Sequence, residues 1–336
     1  MNILFTCISQ HSLNLINQVV DHNIDVIPRV RNIGQTNHAL LNQSTLVKNV
    51  GDQYDYIFPS IHDKEICDLG DINSKNNLIG ITRETADLIK TKSTYYKIFE
   101  TLSIPYPNYK LIKQPTNFFF NTDNRYPCIV KPDNGAGSYG IKICDDVKSL
   151  KIFAVNEQLK NVDYIVQDYI KGDTCSVMGT VVDNEIQIDL FFDIESNCYP
   201  YATETGLVYP SKHSNLQSVI VKYLKDFFKY IKLNNSPFTL DFIVANDQLC
   251  FIDFGARLAI NPLVLLWHSG NTNYISNLIN RIVNKKHFNV VIENAIMFRQ
   301  KKDAFNKFDD EVIDNGIVIC KAKDRQALEL QYELQS

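Results

Sequence analysis

The 336-residue chain is predicted to be an α/β protein of more than one packed unit, with a small parallel unit first and a mixed α+β body behind it. Three observations predict this. The first 60 residues alternate strand, helix and strand. Two later segments, "SVMGTVVDNEIQIDLFFDI" and "FTLDFIVANDQLCFIDFGARL", are β-branched and aromatic runs that fold back at Asp183-Asn184 and Asn246-Asp247. Around them lie stretches with apolar residues at helical spacing, of which "LQSVIVKYLKDFFKYIKL" is the strongest.

Taken in order, "NILFTCI" opens as a strand, "HSLNLINQVVDHN" has helical spacing, and "DVIPRV" and "YDYIFPS" are two further strands. "TRETADLIKTKSTYYKIFETLSI" is predicted helical, with Thr82 as its cap and "PYP" as its end. "NYKLI", "YPCIVKP" and "GIKICDD" are strands, "VKSLKIFAVNEQLK" an amphipathic helix and "YIVQDYI" another strand. Behind the two hairpins, the tail alternates a helix, the short strand "NGIVIC" and a terminal helix.

Composition narrows the function classes. Lys and Arg number 34 against 38 Asp and Glu, so the net charge of −4 gives no general attraction to nucleic acid or anionic membrane. The eight cysteines stand in no CxxC or Cys/His metal spacing, and several lie in strand-like runs as small hydrophobes, which predicts a reducing compartment. The start carries no basic leader with a long apolar core, and no apolar run approaches a membrane span. A cytoplasmic protein is expected. The seven histidines show no HxH, HExxH or triad spacing, and no GxSxG occurs.

The stretch "KPDNGAGSYGI" at 131–141 contains GxGxxG in Gly135, Gly137 and Gly140. A dinucleotide fold needs a helix to open at the third glycine, but "IKICDD" follows, an alternating strand. A P-loop needs its lysine after the glycines, and here Lys131 precedes them. The loop therefore joins two strands, either as a plain hairpin turn or as a lid over phosphates, where glycines let backbone N–H groups approach phosphate oxygens. In the second case Lys131 neutralises a phosphate from the side. A nucleotide under such a lid needs a base slot. "YIVQDYIKGD" is either an ordinary strand end or that slot, with the backbone of Tyr169 and Ile170 on the base and Gln167 or Asp168 on its amine. Asp241 and Asp253 are predicted to lie almost opposite one another across the hairpin, embedded in apolar runs. Carboxylates so placed repel unless a cation sits between them, and hard oxygen ligands shared with phosphates suit Mg²⁺. Arg257, four residues on, would reach a transferring phosphoryl group.

In this order, Lys92 in "IKTKSTYYKIF", "SIPYP", "CIVKPDNGAGSYGI", "IVQDYIKGD", "FTLDFIV" and "FIDFGAR", the chain resembles the ATP-grasp superfamily of carboxylate–amine ligases over roughly residues 75–270. The resemblance implies a parallel α/β domain at 1–85, an ATP-grasp domain at 86–300 with its lid at about 108–170, and a C-terminal segment at 301–336. Lid and C-terminal subdomains would clamp the nucleotide. It further implies that Lys92 and Lys131 bind the phosphates of ATP, and that Gly135, Gly137, Ser138 and Gly140 form the lid loop. Tyr169 and Ile170 are implied to form the adenine hinge, with Gln167 or Asp168 within reach of its amine, and Asp241 and Asp253 are implied to bind Mg²⁺ or Mn²⁺. Arg257 stands beside the metal, and "ATETGLVYP" is similar to a segment where Glu204 meets the substrate. Thr174 replaces the ribose-binding glutamate, with Asp173 beside it, and Gly255 replaces a metal-motif asparagine. The implied activity is ATP-dependent amide or peptide formation through an acyl phosphate, from a small carboxylate and an amine, with a homodimer as the default state of a soluble enzyme. The alternatives are a bicarbonate-type ligase on the same scaffold and a non-catalytic nucleotide-binding module.

Overall fold

The computed structural model describes residues 1–8, 16, 19, 21–28, 30–31, 38–39, 53–59, 66–113, 125–135, 140–156, 162–196, 202–300, 311–313 and 317–332. β1 (Asn2–Ile8) pairs in parallel with β2 (Asn23–Pro28) and with β5 (Tyr56–Phe58), and a two-residue ladder joins β3 (Val30–Arg31) to β4 (His38–Ala39). This is the predicted parallel N-terminal sheet. The predicted helix at "HSLNLINQVVDHN" falls almost wholly outside the described residues.

Helix α1 spans Ile66–Asn76 and was not read from the sequence. The stretch read as one helix after Thr82 is two, α2 (Arg83–Ile89) and α3 (Lys92–Thr101). Thr82 caps α2 and Thr91 caps α3, each side chain accepting from the backbone N–H three residues on. A second cap inside the stretch gives the backbone a competing start, so the helix breaks at Lys90–Thr91.

The next unit is an antiparallel sheet in the order β6-β9-β7-β8, built from β6 (Tyr109–Ile112), β7 (Cys128–Pro132), β8 (Lys142–Cys144) and β9 (Tyr164–Asp168). Helix α4 (Val147–Asn156) packs on it through Leu150 and Phe153, against Cys128, Val130, Tyr164 and Val166.

The large sheet is antiparallel throughout and contains β10 (Asp173–Val182), β11 (Glu185–Ser196), β12 (Glu204–Tyr209), β13 (Ser236–Ala245), β14 (Gln248–Gly255), β15 (Ala295–Gln300), β16 (Glu311–Ile313) and β17 (Ile317–Ala322). Its order is β14-β13-β10-β11-β12-β15-β17-β16. Both predicted hairpins are present. Asp183, Asn184, Asn246 and Asp247 all have φ between 50 and 65°, the paired left-handed conformation of a tight two-residue turn that Asn and Asp tolerate. β12, β15 and β16 were not read from the sequence.

One face of this sheet takes α5 (Gln217–Ile231), whose Ile220, Leu224, Phe227, Phe228 and Ile231 form a buried stripe. The stripe and α3 meet in a cluster of aromatic rings, with Phe99 on Phe227 at 4.9 Å and Phe227 on Phe254 at 5.0 Å. On the other face, α6 (Ile260–His268) and α7 (Tyr274–Asn284) share a second core with β1, β5 and the middle of the sheet. The last helix, α8 (Arg325–Tyr332), closes the β15–β17 end through Leu328. No helix of the described residues is long and apolar enough to cross a membrane. Cys67, Cys128, Cys144, Cys175, Cys250 and Cys320 are free thiols.

Strict alternation fails at three places in the large sheet. Asp189 on β11, Thr205 on β12 and Ile252 on β14 have no partner residue across their ladders. Each is a β-bulge, and each reverses the side-chain parity of its strand.

Candidate active site

The bulge at Ile252 builds the centre of the site. Phe242 pairs with Phe251 and Asp241 with Asp253, so Ile252 is the extra residue. Without it a two-residue turn at Asn246-Asp247 would put the two aspartates on opposite faces. With it they stand side by side on one. The carbonyl of Ile252 accepts from Lys131 Nζ at 3.0 Å and from the Tyr96 hydroxyl at 2.7 Å. A bulge carbonyl thus meets donors that come from two other elements.

The two acids are unequal. Asp253 Oδ1 accepts from the Tyr95 hydroxyl at 2.7 Å and from the N–H of Phe254 at 3.1 Å, and lies 3.1 Å from Lys92 Nζ. Asp241 Oδ1 accepts from Ser176 Oγ at 2.7 Å. Burial works against the charge of Asp253, but Lys92, Lys131 and the Tyr95 hydroxyl outweigh it and hold its carboxyl below the usual range. Burial, and then the charge of Asp253, pushes Asp241 up to about 7. The two acids are thus shifted in opposite directions, as neighbouring carboxylates with unequal partners are. Asp253 still keeps 28% of its side chain exposed, so the pair is ringed by protein but open on one side.

The two lysines are buried and come from different elements. Lys92 is the first residue of α3, and its Nζ also donates to the carbonyl of Gly135 at 3.1 Å. Lys131, on β7, is 5% exposed and lies against the Tyr96 hydroxyl at 3.2 Å. Burial, and then the charge of Lys92, pushes its ammonium down to about 7. A third side chain locks the lysines' frames together. Asp133, two residues beyond Lys131, accepts from the Ser93 N–H at 2.7 Å and the Ser93 hydroxyl at 2.6 Å, while its carbonyl accepts from the Lys92 N–H at 3.0 Å.

Gly135 and Gly140 flank the glycine loop, and Gly140 has φ +74°, a conformation open to glycine. Gly137 and Ser138 lie outside the described residues. On β9, alternation separates the two base-slot candidates. Gln167 is buried toward Tyr96, whose hydroxyl lies 3.4 Å from its Oε1. Asp168 points the other way, with Oδ2 accepting from Asn108 at 3.0 Å and lying 3.9 Å from the Arg125 guanidinium. Tyr169 and Ile170 follow, both half-buried, with the Tyr169 N–H on the carbonyl of Pro127. Asp173 is tied to His213 Nε2 at 2.8 Å and Lys212 Nζ at 3.0 Å. Thr174, not Asp173, shares the β10 face of Ser176 and hence of Asp241.

The bulge at Thr205 likewise separates Glu204 from the face of Gly206 and Val208 and turns it toward the acids. Glu204 Oε1 accepts from the Asn261 amide near the start of α6. Burial raises its carboxyl above the usual range, and Asn261 opposes the rise. Arg257, in the turn before α6, has its carbonyl fixed by Thr239 Oγ1 at 3.0 Å. Its positive charge acts on both Asp241 and Asp253. The described candidates thus split. Lys92, Lys131, Asp241, Asp253, Glu204 and Arg257 act on one another by contact or charge, with Gln167 joined through Tyr96 and Gly135 through Lys92, while Asp168 and Asp173 are held by other partners.

Sequence reasoning missed Tyr95, Tyr96, Ser93, Asp133, Ser176 and Asn261. The tyrosines read as apolar helix residues. The one available signal was "KPD", a carboxylate directly after an apolar strand and its lysine, where a buried charge needs donors.

Could these groups hold a divalent cation? Among the described residues no set of three or more His, Cys, Asp or Glu is arranged to do so. Two carboxylates paired directly, each with Oδ1 committed and Oδ2 remaining, do fit one hard cation that takes its other oxygens from phosphates and water.

A parallel N-terminal sheet, a small antiparallel sheet and a large antiparallel sheet whose acids meet two buried lysines define a mixed α/β class. The profile of the ATP-grasp domain matches residues 89–260, and the chain belongs to that family. Similar solved structures span almost the whole chain. An L-amino acid ligase from Bacillus licheniformis is 13% identical with a TM-score of 0.72, covering 99% of this chain and 96% of that one. An N5-carboxyaminoimidazole synthetase from Staphylococcus aureus, complexed with ADP, is 13% identical with a TM-score of 0.76 over 99% and 95%. A D-alanine–D-alanine ligase from Bacillus anthracis is 17% identical with a TM-score of 0.63 over 84% and 96%. At such identities the likeness is one of fold. No curated protein matches the sequence.

Proposed function

We propose that the chain is an ATP-dependent carboxylate–amine ligase that joins an amino acid or a small amino-acid-derived carboxylate to an amine. The observation that carries this reading is the convergence of Lys92, Lys131, Asp241 and Asp253, from four separate elements, on one another. The lysines and acids offset one another in part, and a polyanion with a cation would match the two lysines and the two acids in turn.

In this reading Lys92 and Lys131 hold the phosphates, and the glycine loop covers them. The backbone at Tyr169 and Ile170, with Gln167, receives the adenine. Asp241 and Asp253 would hold Mg²⁺, whose chemistry there is to neutralise charge on the β- and γ-phosphates. Arg257 steadies the phosphoryl group as a substrate carboxylate oxygen attacks the γ-phosphorus and the bond to the departing ADP breaks. The amine then attacks the acyl carbon, phosphate leaves, and the ammonium proton is lost to solvent. Glu204, half-buried and with the Asn261 amide as its one hydrogen-bond partner among the described residues, suits a substrate ammonium. Closure of the loop keeps water from the acyl phosphate.

The test is ADP release across a panel of amino acids and dipeptides, with Asp253→Asn as control. Release that needs both a carboxylate and an amine, and an amide product by mass, is expected. Turnover on bicarbonate instead would replace this reading with the carboxylating one. Tight ATP binding without turnover on any substrate would replace it with a non-catalytic module.

A further inference from the structure

We propose that Tyr96 is a positioning residue for the bound nucleotide: its hydroxyl holds the Lys131 ammonium in place, so that one helix, α3, fixes where both buried lysines stand. The inference rests on the ligase reading above and deepens it, since it gives a role to a side chain that reading leaves out.

Three observations carry it. The first is a closed ring of three hydrogen bonds. Lys131 Nζ donates to the carbonyl of Ile252 at 3.0 Å and to the Tyr96 hydroxyl at 3.2 Å, and that hydroxyl lies 2.7 Å from the same carbonyl. The protons have only one arrangement. An ammonium donates and never accepts, and a carbonyl only accepts, so the hydroxyl accepts from Lys131 and donates to Ile252. Phenylalanine at 96 would break two of the three bonds.

The second is how little else holds Lys131. Among the described residues Lys92 pairs directly with Asp253, and no carboxylate pairs directly with Lys131. Lys92 repels its charge, while Asp253 and Asp241 attract it from further off. Two neutral oxygens therefore take two of its three N–H groups and leave one for a ligand. Without the hydroxyl, two N–H groups of a buried ammonium would lack a partner, a cost that the side chain relieves by leaving its place.

The third is rigidity. Tyr96 is fully buried, and its ring packs against Tyr109 at 5.1 Å, Tyr95 at 5.3 Å, Tyr106 at 5.5 Å and Phe99 at 6.0 Å. A ring so enclosed gives its oxygen one position. Tyr96 also stands one turn after Lys92 on the same face of α3. Lys92 takes its place from the start of that helix, and Lys131, from another sheet, takes its place from a hydroxyl on it. Repulsion would widen the gap between the two charges, and a single rigid element sets it. Both ammonium groups then meet neighbouring phosphates of one polyanion.

The experiment measures binding and needs no turnover. ADP and adenosine are titrated by calorimetry against the unaltered full chain, Tyr96→Phe, Lys131→Met and the double variant. Tyr96→Phe keeps the buried ring. It is expected to bind ADP about tenfold more weakly and adenosine within about twofold of the unaltered protein, because only the phosphates meet Lys131. In the Lys131→Met background the same change should weaken ADP by less than about twofold. Equal losses on ADP and adenosine would make Tyr96 a structural residue, and equal losses in the two backgrounds would mean that it does not act through Lys131. Either result, or an ADP affinity that Tyr96→Phe leaves unchanged, overturns the inference and leaves the ligase reading standing. An unaltered protein that does not bind ADP would overturn that reading and the inference with it. Should Tyr96→Phe alone not fold, the double variant decides. It strands no ammonium and is expected to fold, and its failure to do so would overturn the coupling.

Discussion

The contact between Asp133 and Ser93 is the joint most open to a quantitative test. Asp133→Ala removes two hydrogen bonds to a buried carboxylate, at 2.7 and 2.6 Å, and leaves the Ser93 N–H without its partner. Hydrogen bonds to charged groups contribute about 1.5–3 kcal/mol each, and part of the loss is returned when the buried charge itself is gone. A net loss of about 3 kcal/mol in unfolding free energy is expected, measured by chemical denaturation. Ser93→Ala deletes only the hydroxyl bond, and the double-mutant cycle should give a coupling of about 1–2 kcal/mol. The functional part separates positioning from mere stability. Asp133 ties the strand of Lys131 to the helix start of Lys92, so its loss should loosen both phosphate contacts and weaken ADP about tenfold by calorimetry, or about 1.4 kcal/mol. Asp133→Asn keeps an acceptor for the Ser93 N–H and should recover most of that affinity. If Asp133→Ala lowers stability by the expected amount while ADP affinity stays within twofold, the lysines are placed by their own contacts and the latch argument is refuted.

Lys92→Met should weaken ADP by roughly 10–100-fold, the worth of a charge-assisted contact of about 1.5–3 kcal/mol, and calorimetry reads it directly. Arg281→Met probes a pair far from the cleft: Arg281 Nη1 lies 2.9 Å from both oxygens of Asp189 and 2.7 Å from Thr180 Oγ1, with side chains 4% and 0% exposed. Stranding Asp189 should cost about 3–5 kcal/mol by denaturation and leave the ADP affinity of the folded protein unchanged. Glu204→Gln should have opposite effects on stability and activity. Burial raises Glu204 above its unfolded value, so the folded state binds its proton more tightly, and stability falls as pH rises through the raised value. The glutamine variant should therefore be the more stable one at pH 8 and equal to the unaltered protein near pH 4, while losing affinity for an amine substrate if Glu204 receives the ammonium.

Much of this architecture is legible in the amino-acid order. Asn246-Asp247 specifies its turn by side chains that tolerate positive φ, and the strand after Gly140 excludes a dinucleotide fold without any coordinates. Both are local signals. The break between α2 and α3 was not read because Thr91 competes with a helical pattern that continues straight through it. β12 and β15 pair with each other from distant parts of the chain, and β16, Glu311–Ile313, is too short to show an alternating pattern. At the site, charged residues in apolar runs drew attention, while the hydroxyls that hold them did not. A tyrosine in a helix looks the same whether its ring fills a core or its oxygen reaches an acid 158 positions away.

The three bulges explain why period-two reasoning reached the paired aspartates by an incomplete route. A two-residue turn at Asn246-Asp247 and strict pairing place Asp241 opposite Ile252, with Asp253 on the far face. One extra residue corrects the register, and nothing within the strand calls for it. Its carbonyl is satisfied by Lys131 and Tyr96, which lie 121 and 156 positions away in sequence. The bulge at Thr205 brings Glu204 to the same side, and the one at Asp189 accompanies a buried acid met by Arg281. In each case a carboxylate that alternation would place elsewhere is carried by a local irregularity and held by a partner from another element. A strand cannot encode such a kink alone, because an extra residue unsupported by those partners would lose a ladder bond and gain nothing. The acids and the lysines therefore specify one another: without Lys131 on β7 the carbonyl of Ile252 has no ammonium to accept, and without the bulge Asp253 does not stand beside Asp241.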